Sequence, residues 1–229
     1  MIDFHTHLLP KMDDGSKSVE ESLKMLTELA KQGVNTVAAT PHFSANAETV
    51  DHFVERRKKS FESLKDSLKN GMPKILLGAE VKFYQGISRL ENLRSLCLEG
   101  TNILLLEMPS CKWTEYVIKE VIDISSTMGL YVVLAHVERF IMFQSDEILE
   151  RLLSSGIYFQ VNAEFFTRRL TRRKAFKMLK NQQIFFLGSD CHNLTDRSPD
   201  IGEALALIEK KFGKKYVIRF DEYAENLMS

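Results

Sequence analysis

The chain has 229 residues, of which 44% are hydrophobic and 27% charged, and this balance excludes wholesale disorder. Lysine plus arginine and aspartate plus glutamate each total 31, so the zero formal charge argues against binding to nucleic acid or an anionic membrane through bulk charge. The sequence has an odd number of cysteines, no apolar run near the roughly 20 residues of a membrane span, and no signal-peptide pattern. These features predict a cytoplasmic protein without membrane insertion.

Seven short apolar runs alternate with helical patterns along the chain. The expected strands are Met1–Phe4, Val34–Thr40, Lys74–Val81, Asn102–Met108, Leu130–His136, Ile157–Val161 and Ile184–Gly188. A capping box at Ser18 and Glu21 begins the first helix, and further helices are expected near Val50–Leu68, Glu115–Ser126, Asp146–Ser154, Arg168–Lys180 and Ile201–Lys211. This alternation predicts a single α/β domain over residues 1–229 with a parallel sheet, and leaves open whether the sheet closes into a barrel.

Five of the six histidines fall at the carboxyl ends of the expected strands: His5, His7, His42, His136 and His192. Four carboxylates are expected at the same edge: Asp14, Glu80, Glu107 and Asp190. Each of these residues taken singly is more typical of a capped, ion-paired or core side chain. Their convergence at the edge where parallel α/β folds place active sites predicts a metal site. The mixture of imidazole and carboxylate without an evident thiolate favours zinc, manganese or iron, and so many ligands predict two or three ions.

These residues resemble a known family. The motifs that carry the resemblance are DFHTH at 3–7, DDG at 13–15, TPH at 40–42, GAE at 78–80, Glu107, AHVER at 135–139 and SDCHN at 189–193. They are similar to the PHP (polymerase and histidinol phosphatase) superfamily. More narrowly, they resemble the bacterial metal-dependent protein-tyrosine phosphatases that accompany capsule and exopolysaccharide tyrosine kinases. The resemblance covers the chain from Met1 to about Arg197 and implies a distorted (β/α)7 barrel with the metal site at the C-terminal ends of the strands.

The resemblance also implies a role for each residue. One ion would be held by His5, His7, Glu80 and Asp190. Glu80 would bridge to a second ion, held also by Glu107 and His136. A third would be held by Asp14, His42 and His192. Arg139 and Arg197 match positions that contact phosphate in this family, and the implied ions are two or three divalent metals, manganese first, with iron or zinc as alternatives.

The implied reaction is hydrolysis of phosphotyrosine on a protein, in the first place a capsule or exopolysaccharide regulatory tyrosine kinase, by attack of a metal-bridging hydroxide. Phe43, Trp113, Phe140 and Phe143 are candidates for an apolar rim around a tyrosyl ring, although core packing is the more usual place for such side chains.

Two alternatives remain open. The same scaffold could serve a histidinol-phosphate or other small-molecule phosphatase, or a non-catalytic metal-stabilised interaction module, against which the complete ligand set argues.

A competing motif begins at Cys191. The run from Cys191 to Arg197 reads as C-x5-R, followed by serine, which is the pattern of cysteine-dependent tyrosine phosphatases. The intervening residues contain no glycine, and Asp196 would place a negative charge inside a phosphate cradle, so the metal interpretation is preferred. Cys97 and Cys111 are expected to be buried apolar residues.

Basic runs occur at Arg56–Lys59 and Arg168–Lys174. A solvated helix face is the favoured interpretation of each, with a docking surface for an acidic or phosphorylated tail as the alternative. The last twenty residues match the family least, and the sequence does not indicate whether they cover the site or form a subunit contact.

Overall fold

The computed structural model describes residues 1–228. The strands within this range are β1 (Ile2–Thr6), β2 (Thr36–Ala39), β3 (His42–Phe43), β4 (Lys74–Leu77), β5 (Glu80–Lys82), β6 (Ile103–Glu107), β7 (Tyr131–Leu134), β8 (Tyr158–Asn162) and β9 (Phe186–Gly188). The α-helices are α1 (Val19–Lys31), α2 (Val50–Lys65), α3 (Glu115–Met128), α4 (Asp146–Ser154), α5 (Glu164–Thr167), α6 (Arg169–Lys180), α7 (Ile201–Phe212) and α8 (Lys214–Met228). No helix in residues 1–228 is long and apolar enough to cross a membrane.

All strand pairs are parallel, and they form two sheets of order β1-β2-β4 and β3-β5-β6-β7-β8-β9. The expected strand Val34–Thr40 is observed as β2 and is followed, after a break, by the short β3, and the expected strand Lys74–Val81 is divided into β4 and β5. The first division falls at Pro41, which lacks the N–H that a sheet ladder needs. The second falls at Gly78, where a Cβ atom would lie 2.5 Å from the Leu98 side chain and 3.3 Å from the Thr40 side chain, so glycine allows these two side chains to pack closely against the bend.

Hydrogen bonds between the first and last strands close the sheet. The Asp190 N–H donates to the His5 carbonyl oxygen at 2.8 Å, and the His7 N–H donates to the Cys191 carbonyl oxygen at 2.9 Å. Counting each bent pair as one strand, seven parallel strands therefore surround a common axis, with the helices outside. This confirms the distorted (β/α)7 barrel expected from the sequence resemblance.

A small apolar core fills the barrel, separate from the larger core beneath the helices. In it, the rings of Phe4 and Phe186 stack with centroids 4.1 Å apart, and Leu105 and Val133 are fully or almost fully buried. Truncating such a buried phenylalanine to alanine typically costs about 3–5 kcal/mol of stability, so this core holds the strand ends in fixed register.

Helix α8 was not predicted from the sequence, and it lies at the amino ends of the strands. The Ile2 N–H donates to Asp221 Oδ1 at 2.8 Å, and the Tyr223 ring packs edge-on to Phe185 with centroids 4.9 Å apart. Phe220 and Ala224 form its buried face. The C-terminal segment therefore covers the end of the barrel opposite the expected metal site and does not cover that site.

Candidate metal centre and active site

The nine side chains expected as metal ligands all lie at the carboxyl ends of the strands, and we call them the strand-end cluster. Six are buried, with at most 3% exposed: His5, His7, Glu80, His136, Asp190 and His192. His42, Asp14 and Glu107 stand at the mouth, with 39%, 65% and 27% of their side chains exposed. The cluster is thus closed to solvent on the side of the six buried residues and open to solvent on the side of His42, Asp14 and Glu107.

Two histidines face each other at the centre of the cluster. His5 Nε2 and His7 Nε2 are 3.0 Å apart. The acceptor Gln160 Oε1 lies 3.3 Å from His5 Nδ1, and Asp13 Oδ2 lies 2.7 Å from His7 Nδ1. In the neutral rings these acceptors place the protons on Nδ1, which leaves two unprotonated Nε2 atoms directed at the same point. Two such atoms repel each other unless a proton or a metal ion lies between them.

Carboxylate oxygens surround the same point. Glu80 Oε2 is 3.3 Å from each of the two Nε2 atoms, and Asp190 Oδ1 is 3.5 Å from His5 and 3.4 Å from His7. Glu80 Oε2 also lies 2.8 Å from His42 Nδ1, and His192 Nε2 lies 3.4 Å from Asp14 Oδ1, but among the described residues neither buried atom has a hydrogen bond of acceptable geometry. Buried polar atoms without partners are rare in native proteins, so this donor set fits a bound metal ion.

Four overlapping sets of donor atoms make up the cluster, and the atoms within each set lie within 4.8 Å of one another. They are His5, His7 and Asp190; His5, Glu80 and His136; His42, Glu80 and Glu107; and His7, Asp14, His42 and His192. Glu80 belongs to two of these sets, as do His5, His7 and His42. Glu107 lies 3.9 Å from His136 Nε2 at its nearest oxygen, whereas His136 Nε2 lies 2.6 Å from Glu80 Oε1.

The electrostatic balance keeps the buried carboxylates ionised. Burial acts to raise the pKa of Glu80, but the neighbouring charge of His5 and contacts with His136 and His42 hold it well below its usual value. Burial likewise opposes ionisation of Asp190, yet the histidines and Arg139 hold its pKa below the usual range. Burial acts to lower the pKa of His7, but hydrogen bonds with Asp13, Asp190 and Glu80 hold it well above its usual value. A field that favours a proton there also favours a metal ion.

A left-handed backbone conformation directs two of these side chains toward the cluster. His136 follows β7 with φ 32°, and Asp190 follows β9 with φ 55°, both in the left-handed region that non-glycine residues seldom adopt. Burial and multiple contacts hold each residue in this strained conformation. Such strain is characteristic of functional sites, because the surrounding structure must impose it.

The two arginines expected at the site converge on one carboxylate. Arg139 Nη2 donates to Asp190 Oδ2 at 2.5 Å, and Arg197 Nη2 donates to Asp190 Oδ1 at 2.9 Å. Their side chains remain 43% and 36% exposed. Both line a cleft of about 250 Å³ beside the cluster, together with Asn162, Arg168 and the carboxylates Glu164, Asp190, Asp196 and Asp200. Two guanidinium groups at the edge of a cleft can bind an oxyanion that enters it.

Asp13 orients two histidines, a role that the sequence did not reveal. Its Oδ2 atom accepts from the His42 N–H at 2.9 Å as well as facing His7 Nδ1, and its Oδ1 atom accepts from the Gly15 N–H at 2.9 Å. A Cβ atom on Gly15 would lie 2.2 Å from the His7 carbonyl oxygen. The DDG motif therefore combines an exposed candidate ligand, Asp14, with a buried carboxylate and a glycine that allows their close approach to His7.

Gln160 and Asn162 form a second supporting pair that the sequence did not reveal. Gln160 Oε1 accepts from the His136 N–H at 2.7 Å, and Gln160 Nε2 donates to Asn162 Oδ1 at 3.0 Å. Asn162 Nδ2 then donates to Asp190 Oδ2 at 2.9 Å. The signal was two polar residues spaced two apart in an otherwise apolar strand, which places both on one buried face.

The structure disfavours the cysteine interpretation. The Cys191 side chain is fully buried, and burial raises the pKa of its thiol well above the usual value. Backbone N–H groups of the following loop are already used: those of His192 and Asn193 donate to the Arg197 carbonyl oxygen, and those of Thr195 and Arg197 donate to Asn193 Oδ1. This loop therefore offers neither an accessible thiolate nor a cradle for a phosphoryl group.

Two smaller expectations are also resolved. Phe43, Trp113 and Phe140 are buried core residues, whereas Phe143 is 41% exposed. Cys97 is buried as expected, but the expectation for Cys111 was wrong, because Cys111 is exposed in the turn before α3.

The family described as capsular polysaccharide synthesis, CpsB/CapC, matches residues 1–228. The chain belongs to this family. Its motif-based recognition as a metal-dependent capsule-type phosphatase relative is thereby confirmed.

CpsB/CapC relatives match over almost the full chain. Tyrosine-protein phosphatase YwqE of Bacillus subtilis (strain 168) is 30% identical over 237 residues, covering 100% of this chain and 91% of YwqE. Tyrosine-protein phosphatase CpsB of Streptococcus pneumoniae is 29% identical over 231 residues, covering 94% of this chain and 92% of that protein. A solved structure described as YwqE from Bacillus subtilis and CpsB from Streptococcus pneumoniae, unique metal-dependent tyrosine phosphatases, superposes with a TM-score of 0.86 and 27% identity, covering 100% and 94% of the two chains.

Proposed function

We propose that this CpsB/CapC chain is a metal-dependent protein-tyrosine phosphatase. The observation that carries the proposal is the convergence of nine metal-binding side chains, with two arginines at their edge, on one open-sided centre. Relatives that match over nearly their whole length are named tyrosine-protein phosphatases, and the similar solved structure is described as metal-dependent. We further propose that residues 1–229 form a single domain and that the protein is cytoplasmic. The proposed substrate is a tyrosine kinase of capsule or exopolysaccharide synthesis.

We propose two or three divalent ions, manganese first and iron or zinc as alternatives. The ligands would be His5, His7, Asp14, His42, Glu80, Glu107, His136, Asp190 and His192. When bound, such ions supply positive charge for phosphoryl oxygens and lower the pKa of water toward neutrality. Oxygen and imidazole donors suit all three metals, so the ligand set alone does not select among them.

The role proposed for Arg139 and Arg197 is to bind the phosphoryl group. Each guanidinium is tethered to Asp190 and only partly buried, so it can present its remaining N–H groups to an anion in the cleft. Charge that develops on the phosphoryl oxygens would then meet donors already in position. A phenol has a pKa of about 10, so its oxygen leaves with less need of a proton than an alkoxide would. No general acid is assigned.

The test compares three substrates with the manganese-loaded protein: a phosphotyrosyl peptide, the matching phosphoseryl peptide and histidinol phosphate. We expect the phosphotyrosyl peptide to have the highest kcat/KM, because its leaving group is the most stable anion. Preference for histidinol phosphate would support the small-molecule alternative instead. Absence of turnover with a full metal complement would support the non-catalytic one.

A further inference from the structure

Helix α6 and the residue before it carry an unusual concentration of positive charge. Residues 168–180 contain seven arginines and lysines and no acidic residue. Two of the seven have partners: Arg168 pairs with Glu164, and Arg172 donates to backbone carbonyl oxygens. Within the described part of the chain, the other five have no ion pair or side-chain hydrogen bond and are all exposed: Arg169, Arg173, Lys174, Lys177 and Lys180. Unpaired charges on one helix form a site of positive potential for an anionic ligand.

A groove lined by both charged and apolar side chains lies beside this charge. Its volume is about 920 Å³, and it runs between α4 and α6. We call it the α6 groove and define it by Ile141, Leu149, Leu170, Arg173, Lys174 and Lys177. Leu170 is 98% exposed, and Met142, next to Ile141, is 74% exposed. Large apolar side chains so exposed beside a groove are typical of a surface that contacts another molecule.

The α6 groove and the cleft lined by Arg139 and Arg197 are formed by neighbouring stretches of the chain. Arg139 and Arg168 line the cleft, and Ile141 and Leu170, each two residues further along the chain, line the groove. The chain therefore passes from the lining of the cleft to the lining of the groove within two residues at two separate places. A peptide with its phosphorylated side chain in the cleft would lay its neighbouring residues along α6.

We propose that the α6 groove binds the residues that flank the phosphotyrosine of the protein substrate, and that it selects substrates with acidic flanks. This inference rests on the proposed phosphatase function. Aspartate or glutamate on the peptide would lie against Arg173, Lys174 and Lys177, and an apolar residue would cover Leu170. Asp146 and Glu150 lie on the opposite wall of the groove and would repel acidic residues of the peptide. Those residues of the peptide would therefore lie on the α6 side of the groove.

The test measures kcat/KM for two phosphotyrosyl peptides, one with glutamate flanks and one with lysine flanks, and for p-nitrophenyl phosphate. The variant is Arg173→Glu/Lys177→Glu. The matched control is Lys58→Glu/Lys69→Glu, which makes the same charge change at exposed positions on and just after α2. Each enzyme is assayed at low and high salt with the same metal loading.

For the acidic peptide we expect the variant to lose roughly tenfold in kcat/KM, mainly through KM, with most of the difference disappearing at high salt. The lysine-flanked peptide should improve with the variant, and p-nitrophenyl phosphate should be unaffected because it does not reach the groove. Equal turnover of the acidic peptide by the variant, the control and the wild type would overturn the docking proposal alone. Failure of the wild-type protein to hydrolyse any of the three substrates would overturn the proposed function and this inference with it.

Discussion

His7 Nδ1 lies 2.7 Å from Asp13 Oδ2, and the same oxygen accepts from the His42 N–H at 2.9 Å. One buried carboxylate therefore orients two candidate ligands, although it belongs to none of the sets of converging donor atoms. Its neighbour Asp14 points into the site from a more exposed position. The two aspartates of the DDG motif differ in their contacts: Asp13 faces His7 Nδ1 and the His42 backbone N–H, whereas Asp14 faces Nε2 of His42 and of His192.

Asp13→Ala is expected to weaken metal binding by about 10–100-fold, the usual cost of removing a group that orients a metal-bound histidine. Asp13→Asn should restore much of that affinity, because its amide oxygen can still accept from His7. Titration of the apo protein with Mn²⁺ gives the affinities, independently of activity. Equal affinities for wild type and Asp13→Ala would show that His7 is held by its packing alone.

Arg139→Ala and Arg197→Ala are each expected to lower kcat/KM for a phosphotyrosyl peptide by roughly 10²–10³-fold, the effect typical of removing one donor to a developing oxyanion. Bound metal should stay at the wild-type level, because neither guanidinium is a ligand. Arg139→Lys should recover only part of the rate, since an ammonium cannot form the two-pronged contact. Metal loss in either alanine variant would instead assign that arginine to holding Asp190 in place.

His136→Ala is expected to abolish turnover and to reduce the stabilisation that metal gives. A ligand at about 100 times its Kd stabilises the folded state by about 2.7 kcal/mol, so Mn²⁺ should raise the unfolding temperature of the wild type visibly more than that of the variant. His52→Ala is the matched control, because His52 lies on α2 and pairs with Glu48 outside the cluster. A metal-induced shift in His136→Ala as large as in the control would remove His136 from the ligand set.

Cys97 should make the protein less stable at alkaline pH. Burial raises the pKa of its thiol from 9.0 to about 12. Between these values the unfolded chain has lost a proton that the folded chain keeps, so rising pH favours unfolding, by up to about 1.4 kcal/mol per pH unit. Urea unfolding from pH 8 to 10.5 should show a shallower fall for Cys97→Ala than for wild type. Parallel slopes for the two proteins would contradict the prediction.

The sequence was most informative where residue type and strand position coincide. Histidines and carboxylates placed after apolar runs, such as His136 after β7 and Asp190 after β9, come together because parallel strands bring their carboxyl ends to one edge. Pro41 and Gly78 interrupt two strands without moving His42 and Glu80 from that edge. The position of the candidate centre therefore follows from local patterns, whereas the closure of the sheet into a barrel was implied only by the family resemblance.

Features that depend on packing between distant segments were not predicted. The supporting contacts of Gln160 and Asp13 depend on which side chain faces which ring, information that strand periodicity lacks. Helix α8 was overlooked although Phe220 and Ala224 mark its apolar face, because its place at the amino ends of the strands depends on contacts with β1 and β9. The exposure of Cys111 likewise depends on the course of a turn.

The most direct test of a metal phosphatase is the hydrolysis of a phosphotyrosyl peptide by wild type and Cys191→Ser, each assayed after chelation and again after Mn²⁺ is restored. We predict that both proteins lose activity on chelation and regain it with Mn²⁺, because the buried Cys191 takes no part in the reaction. An inactive Cys191→Ser together with an active chelated wild type would contradict the account and assign the chemistry to the cysteine.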